Sequence, residues 1–108
     1  MSLYMLQFSY TAEAWAAMTR NPEDRSVQVR ANIEKLGGRL LGMYYSFGQF
    51  DGVALVELPD SGAAMAYVLA ALGTGILKGT LTTQLFSISE AIQAMKKASG
   101  IKVPPPKG

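Results

Sequence analysis

The sequence contains no cysteine and no histidine, and these two absences exclude more chemistry than any motif supplies. Without thiols there is no disulfide, no thiolate nucleophile and no cysteine metal site; without imidazole the commonest proton shuttle and metal ligand is missing. Ser61 has no histidine to activate it, which argues against a serine hydrolase, and a haem-degrading activity would lack its histidine axial ligand. No cofactor and no metal site is expected. Charge is sparse as well: 17% of residues are charged, against roughly 25% in an average soluble domain. The ten Lys and Arg are scattered, with Lys96-Lys97 the only adjacent pair, whereas a nucleic-acid binder concentrates its cations on one face. The longest apolar stretch, Ala63 to Leu72, is about half of the roughly 20 residues that cross a bilayer. Neither nucleic acid nor membrane is an expected partner. Met1-Ser2-Leu3-Tyr4 has no basic region ahead of an apolar core, so the expected location is cytoplasmic.

What is present is an apolar chain of 108 residues, 49% of them hydrophobic. That length suits one core, and the excess of apolar residues over charge predicts that some apolar surface ends up between chains. Residues 1–100 read as a single domain, and the Pro-rich stretch 101–108 as an extended tail.

Leu3 to Tyr10 alternates with period two, the pattern of a strand with Tyr4, Leu6, Phe8 and Tyr10 on one side. Thr11 caps a short helical segment through Met18. Asn21-Pro22-Glu23-Asp24 then reads as cap, N-terminal proline and first-turn acids of a second helix that ends at Gly37-Gly38. Arg39 to Phe47 and Asp51 to Leu58 are strand-like runs joined by a tight turn at Gly48-Gln49-Phe50. Asp60 caps an Ala-rich helix whose Met65, Val68, Leu69 and Leu72 fall on one stripe. Thr80 to Ile88 is the fourth strand, and Ser89-Glu90 opens a last helix with Lys96-Lys97 in its final turn. Met5, Met43, Met65 and Met95 are expected at packing surfaces.

The order predicts an α+β domain: a ferredoxin-like βαββαβ sandwich, with a four-stranded antiparallel sheet, helices on one face and an extra C-terminal helix. The sheet face away from the helices is predicted to carry Gln7, Tyr44, Ser46 and Gln84 together with Leu3, Met5, Leu40, Val53, Leu55 and Phe86. So apolar a face predicts self-association through it.

Phe47-Gly48-Gln49-Phe50-Asp51, followed by Val53-Ala54-Leu55-Val56-Glu57 and Pro59-Asp60, resembles the hairpin that names the GYD domain family. The Lys35 to Leu40 segment and the Thr80 to Phe86 strand resemble it too, so the likeness spans about residues 3 to 95. The family's Gly-Tyr-Asp pattern falls on Gly48, Phe50 and Asp51, with Gln49 between and phenylalanine in the tyrosine position, so the phenol is absent here. The resemblance implies a ferredoxin-like fold in a dimeric α/β-barrel type of assembly and brings no assigned activity.

Among single residues Asp51 stands out as a candidate catalytic group: beside Phe50 and Val53, a partly desolvated carboxylate would acquire a raised pKa and act as a base. The plainer reading is an aspartate that bonds turn amides. Gln7, Ser9, Tyr44, Ser46, Asp51, Glu57, Thr82 and Gln84 are expected to share the face away from the helices, as polar handles of an apolar chamber that suits a small, partly aromatic molecule. A one-residue register error would scatter them. Gly73-Thr74-Gly75 and Gly79 follow a helix and precede a strand, the wrong order for a phosphate loop. Trp15 reads as a core residue paired with Met18, or as a lid over the chamber. Three functions remain: a small-molecule binding module, a cofactor-free monooxygenase or isomerase using Asp51 or a tyrosine, and a structural subunit whose sheet face serves only assembly.

Overall fold

In a computed structural model describing residues 1–107, the chain folds as four strands and four helices: β1 (Ser2–Tyr10), α1 (Ala12–Arg20), α2 (Ser26–Lys35), β2 (Arg39–Tyr45), β3 (Gly52–Leu58), α3 (Ser61–Leu72), β4 (Leu77–Leu85) and α4 (Ile88–Ala98). All strand pairs are antiparallel, and the sheet runs in the order β2-β3-β1-β4. The fold is α+β.

The uninterrupted alternation of β1 sets the two faces. Tyr4 and Leu6 join Leu40, Ala54, Val56 and Leu58 of the sheet, Ile33 of α2 and Ala64 of α3 in one core. Partners directly opposite in a ladder point to the same side, so the even-numbered residues of β1 and their partners form the helix-facing side. Ile33 and Val56 are 0% exposed and anchor α2 to the sheet.

Local chemistry explains most boundaries. Thr11 Oγ1 accepts the Ala14 N–H at 3.2 Å and starts α1, and Asp60 Oδ1 accepts the Ala63 N–H at 2.9 Å and starts α3. The second helix starts later than expected. Asn21, before Pro22, sits at φ −139° and ψ 78° and ends α1, as the clash with a following proline ring favours. Asp24 Oδ1 then takes the Ser26 N–H at 2.9 Å, and α2 begins at Ser26. It ends as expected at Gly37, whose φ of +83° only glycine adopts cheaply. At Gly38 an added Cβ would run into the Glu57 carbonyl and the Leu58 side chain, so this residue lets the helix end press onto β3.

Three expected phases are corrected. A bulge between Leu40 and Gly42 inserts Leu41 into β2, so Leu40 faces the core and not the outer face. In β4, Thr80, Thr82 and Gln84 lie opposite Phe8, Leu6 and Tyr4; they face the helices, and Leu81, Thr83 and Leu85 face outward. In α3 the buried side is Ala64 with half-buried Tyr67 and Val68, while Met65, Leu69 and Leu72 are exposed. Of the methionines, Met43 packs on the core, but Met65 and Met95 are 64% and 65% exposed. No helix of the described residues is long and apolar enough to cross a membrane.

Candidate functional site

The residues expected to share one chamber divide between the two faces of the sheet. Gln7 pairs with Val53 and Leu81, and Val53 in turn with Tyr44, so Gln7 and Tyr44 do stand in one outward row. Ser9, opposite Gly79, is buried on the same side. Glu57 faces outward and pairs with Arg39. Ser46 works locally: its hydroxyl donates to the Phe50 carbonyl at 2.7 Å and its N–H to the Asp51 carbonyl at 2.8 Å, closing the hairpin turn. Thr82 and Gln84 lie on the opposite, helix-facing side.

Asp51 sits in a polar and aromatic frame instead of an apolar pocket. Its Oδ2 accepts the Tyr10 backbone N–H at 2.9 Å and the Trp15 indole N–H at 3.0 Å. These two donors, the Tyr10 amide foremost, hold its pKa below the ordinary carboxylate range, the reverse of the rise expected for a base. The carboxylate thus ties the hairpin to the end of β1 and to α1. Trp15 is 37% exposed and packs not with a helix core but on Tyr10, at 5.1 Å and 83°, and on Tyr45, at 5.8 Å. The Tyr10 and Tyr45 hydroxyls approach to 3.3 Å, and Phe8 meets the Tyr10 ring edge at 5.4 Å. Burial first, and the Tyr45 hydroxyl second, push the Tyr10 phenol well above its usual pKa, so it stays protonated and neutral. Next to Asp51, a Cβ on Gly52 would strike the Phe8 ring. The hairpin aspartate and the glycine after it are fitted to this aromatic cluster.

The cavity lies on the helix side of the sheet. It is a cleft of about 470 Å³, floored by Leu6, Phe8, Thr80 and Thr82 of β1 and β4 and walled by Val29 and Asn32 of α2 and by Tyr67 and Ala71 of α3. It opens because α3 presents alanines where larger side chains would close onto the sheet: Ala66, Ala70 and Ala71 all line it. Tyr10 also lines the cleft and connects it to the aromatic cluster. Among the described residues that line it, Arg25 and Lys35 are the only charged ones, and none is an aspartate or glutamate. Burial raises the Tyr67 pKa, opposed by the nearby Arg25, so this phenol too stays protonated and neutral. Sequence reasoning missed the cleft, although the alanine run of α3 was a signal of unfilled space. Among the described residues no group of three or more acidic side chains is arranged to hold a metal ion.

This geometry can enclose an apolar body, offer it hydroxyl and amide partners, and place positive charge at its rim. A solved structure described as the crystal structure of FFRP-DM1 superposes with a TM-score of 0.50 at 13% identity, covering 80% of this chain and 100% of that one; the likeness concerns the fold alone. No curated protein matches. The model of the GYD domain matches residues 4–95, nearly all of β1 through α4, and the chain belongs to the GYD domain family.

Proposed function

We propose that this chain is a ferredoxin-like, homo-oligomeric binding module that takes a small, partly aromatic molecule in the cleft between α2, α3 and the sheet. The observation that carries the reading is the cleft itself. Its volume of about 470 Å³ falls within the roughly 300–1,000 Å³ of ligand sites, and an apolar lining with a few convergent polar groups is the ordinary chemistry of such sites. Phe8, Tyr10 and Tyr67 supply ring faces and edges for an aromatic body, while Thr80, Thr82 and Asn32 supply hydrogen bonds. With Arg25 and Lys35 and no acid in the lining, the site favours a neutral or anionic ligand over a cation.

The ferredoxin-like assignment rests on the β2-β3-β1-β4 order with all neighbours antiparallel. Self-association through the outer sheet face rests on its apolar rows: Leu3 and Met5 of β1, Val53 and Leu55 of β3, and Leu81 and Leu85 of β4. Asp51 serves this module as the tie that holds the aromatic wall in place. The test is native mass spectrometry of protein purified without added ligand, comparing the natural chain with Ala71→Trp, which fills the cleft. A defined small-molecule mass on the natural chain and its loss in a folded Ala71→Trp variant are expected. An adduct retained by Ala71→Trp would place the ligand elsewhere and overturn the reading.

A further inference from the structure

Among the described residues, helix α4 has no substantial seat. Two residues separate it from β4, and it opens on a capping box in which Ser87 Oγ accepts the Glu90 N–H at 3.0 Å and Glu90 Oε1 accepts the Ser87 N–H at 2.9 Å. It packs substantially on no other element and buries none of its residues. It is nonetheless strongly two-faced: Ile88, Ile92 and Met95 are exposed on one side, and Ser89, Glu90, Gln93, Lys96 and Lys97 occupy the other. A well-capped helix with an open apolar stripe is a surface made for another surface.

The same chain carries a matching open face. Helix α3 has no charged residue, and a helix without a polar face is covered on all sides in a finished structure. Its inner side covers the sheet, while Met65, Leu69 and Leu72 face out and are exposed. The spacing of Met65, Leu69 and Leu72 is four and then three residues, and that of Ile88, Ile92 and Met95 is the same. The two helices have nearly equal lengths, 12 and 11 residues, so the two ridges run in step for their full extent.

Area says what the occupant must supply. The chain exposes 7653 Å², whereas a compact monomer of this size exposes about 5,800 Å². Its radius of gyration is 17.7 Å against about 13 Å for a compact domain. The excess, on the order of 1,900 Å² per chain, comes in part from the exposed segment 101–107 and in part from the unpacked α4 and the bare α3 ridge, and it is large enough to hold the area that a stable homodimer interface buries. A second copy supplies both faces at once, and a reciprocal exchange closes under twofold symmetry.

From these observations we infer that α4 is an exchanged arm, whose Ile88-Ile92-Met95 stripe packs along the Met65-Leu69-Leu72 ridge of α3 in a second copy. This contact is separate from the outer sheet face and independent of the cleft's ligand.

The absence of cysteine allows a direct test. Leu69→Cys and Ile92→Cys are made as two separate single variants, mixed under conditions that exchange subunits, and oxidised. The expected result is a disulfide-linked species at twice the chain mass, formed in the mixture well beyond its level in either variant alone and lost on reduction. The double variant Leu69→Cys/Ile92→Cys separates the alternatives. If it closes only an internal disulfide and migrates as a single chain, while the mixture forms no crosslink, α4 folds back on its own α3 and the exchange is overturned. If neither the mixture nor the double variant crosslinks, α4 does not meet α3 at all, and the proposal also fails. Ile92→Asp gives a second readout: light scattering should show a smaller assembly than the natural chain, and an unchanged assembly contradicts the exchange.

Discussion

At the residue scale, Asp51 accepts two N–H groups and has a lowered pKa, the opposite of the shift expected from its apolar neighbours. A carboxylate whose charged form accepts two N–H groups is stabilised as an anion, and its folded pKa lies below its unfolded value. The sign follows: the stabilisation is fully present above an unfolded pKa of about 4 and is lost as pH falls through the depressed folded value. Asp24 and Glu90, each lowered mainly by bonds from Ser26 and from Ser87, lose their contributions in the same window. With no histidine in the chain, no side chain has an ordinary pKa between pH 5 and 8. Thermal denaturation is therefore expected to give a flat midpoint from pH 5 to 7 and a fall below pH 4. Asp51→Ala should lower the melting temperature and mobilise Trp15, seen as a red shift in its emission, and Asp51→Asn should do less because both N–H groups end on one oxygen and an amide oxygen can still accept both, without the charge. An unchanged emission in Asp51→Ala would show that the indole is held by other contacts. Core positions obey ordinary magnitudes: Ile33→Ala empties a site that is 0% exposed and should cost about 2–5 kcal/mol in chemical denaturation. That is a large share of the roughly 5–15 kcal/mol of a typical domain.

Elements were legible where one physical rule acted alone. The alternation of β1 and the caps at Thr11 and Asp60 were readable because period and capping chemistry are local. β2 slipped because one extra residue, Leu41, reverses the faces, and a bulge leaves little mark in a short apolar run. The phase of β4 misleads for a different reason: its polar Thr80 and Thr82 face the helices, where they line the open cleft, and Gln84 lies on the same side opposite Tyr4, while Leu81 and Leu85 face outward. The rule that polar residues face solvent pointed to the wrong side because an open cleft lies within the fold and an apolar face lies outside it. This slip moved Thr82 and Gln84 out of the expected chamber and left Gln7 and Tyr44 behind on the outer face. For α3, apolar on every side, no stripe could be chosen from periodicity alone. α4 gives the prediction at this scale. Its capping box satisfies the first-turn donors, so Ser87→Ala should cost that helix about 1 kcal/mol, read as faster amide exchange in α4 with no change in β1. Equal acceleration in both would mean that α4 unfolds only together with the domain.

At the scale of the whole molecule, two apolar surfaces stand beside the cleft of about 470 Å³. The outer sheet face and the α3 and α4 stripes point to assembly, and the cleft points to a small molecule; neither needs the other. The fold class was readable from the element order. The site was not, because its walls come from α2, α3, β1 and β4, and their mutual placement depends on the bulge and phases that local sequence hides. The measurement that tests the binding account most directly is an NMR titration of isotope-labelled protein with 2-naphthoate, a small aromatic anion of the chemistry the cleft favours. Shifts concentrated at the amides of Asn32, Tyr67, Ala71 and Thr82 are predicted. No perturbation, or shifts confined to Leu3, Met5 and Leu55 on the outer sheet face, would contradict it.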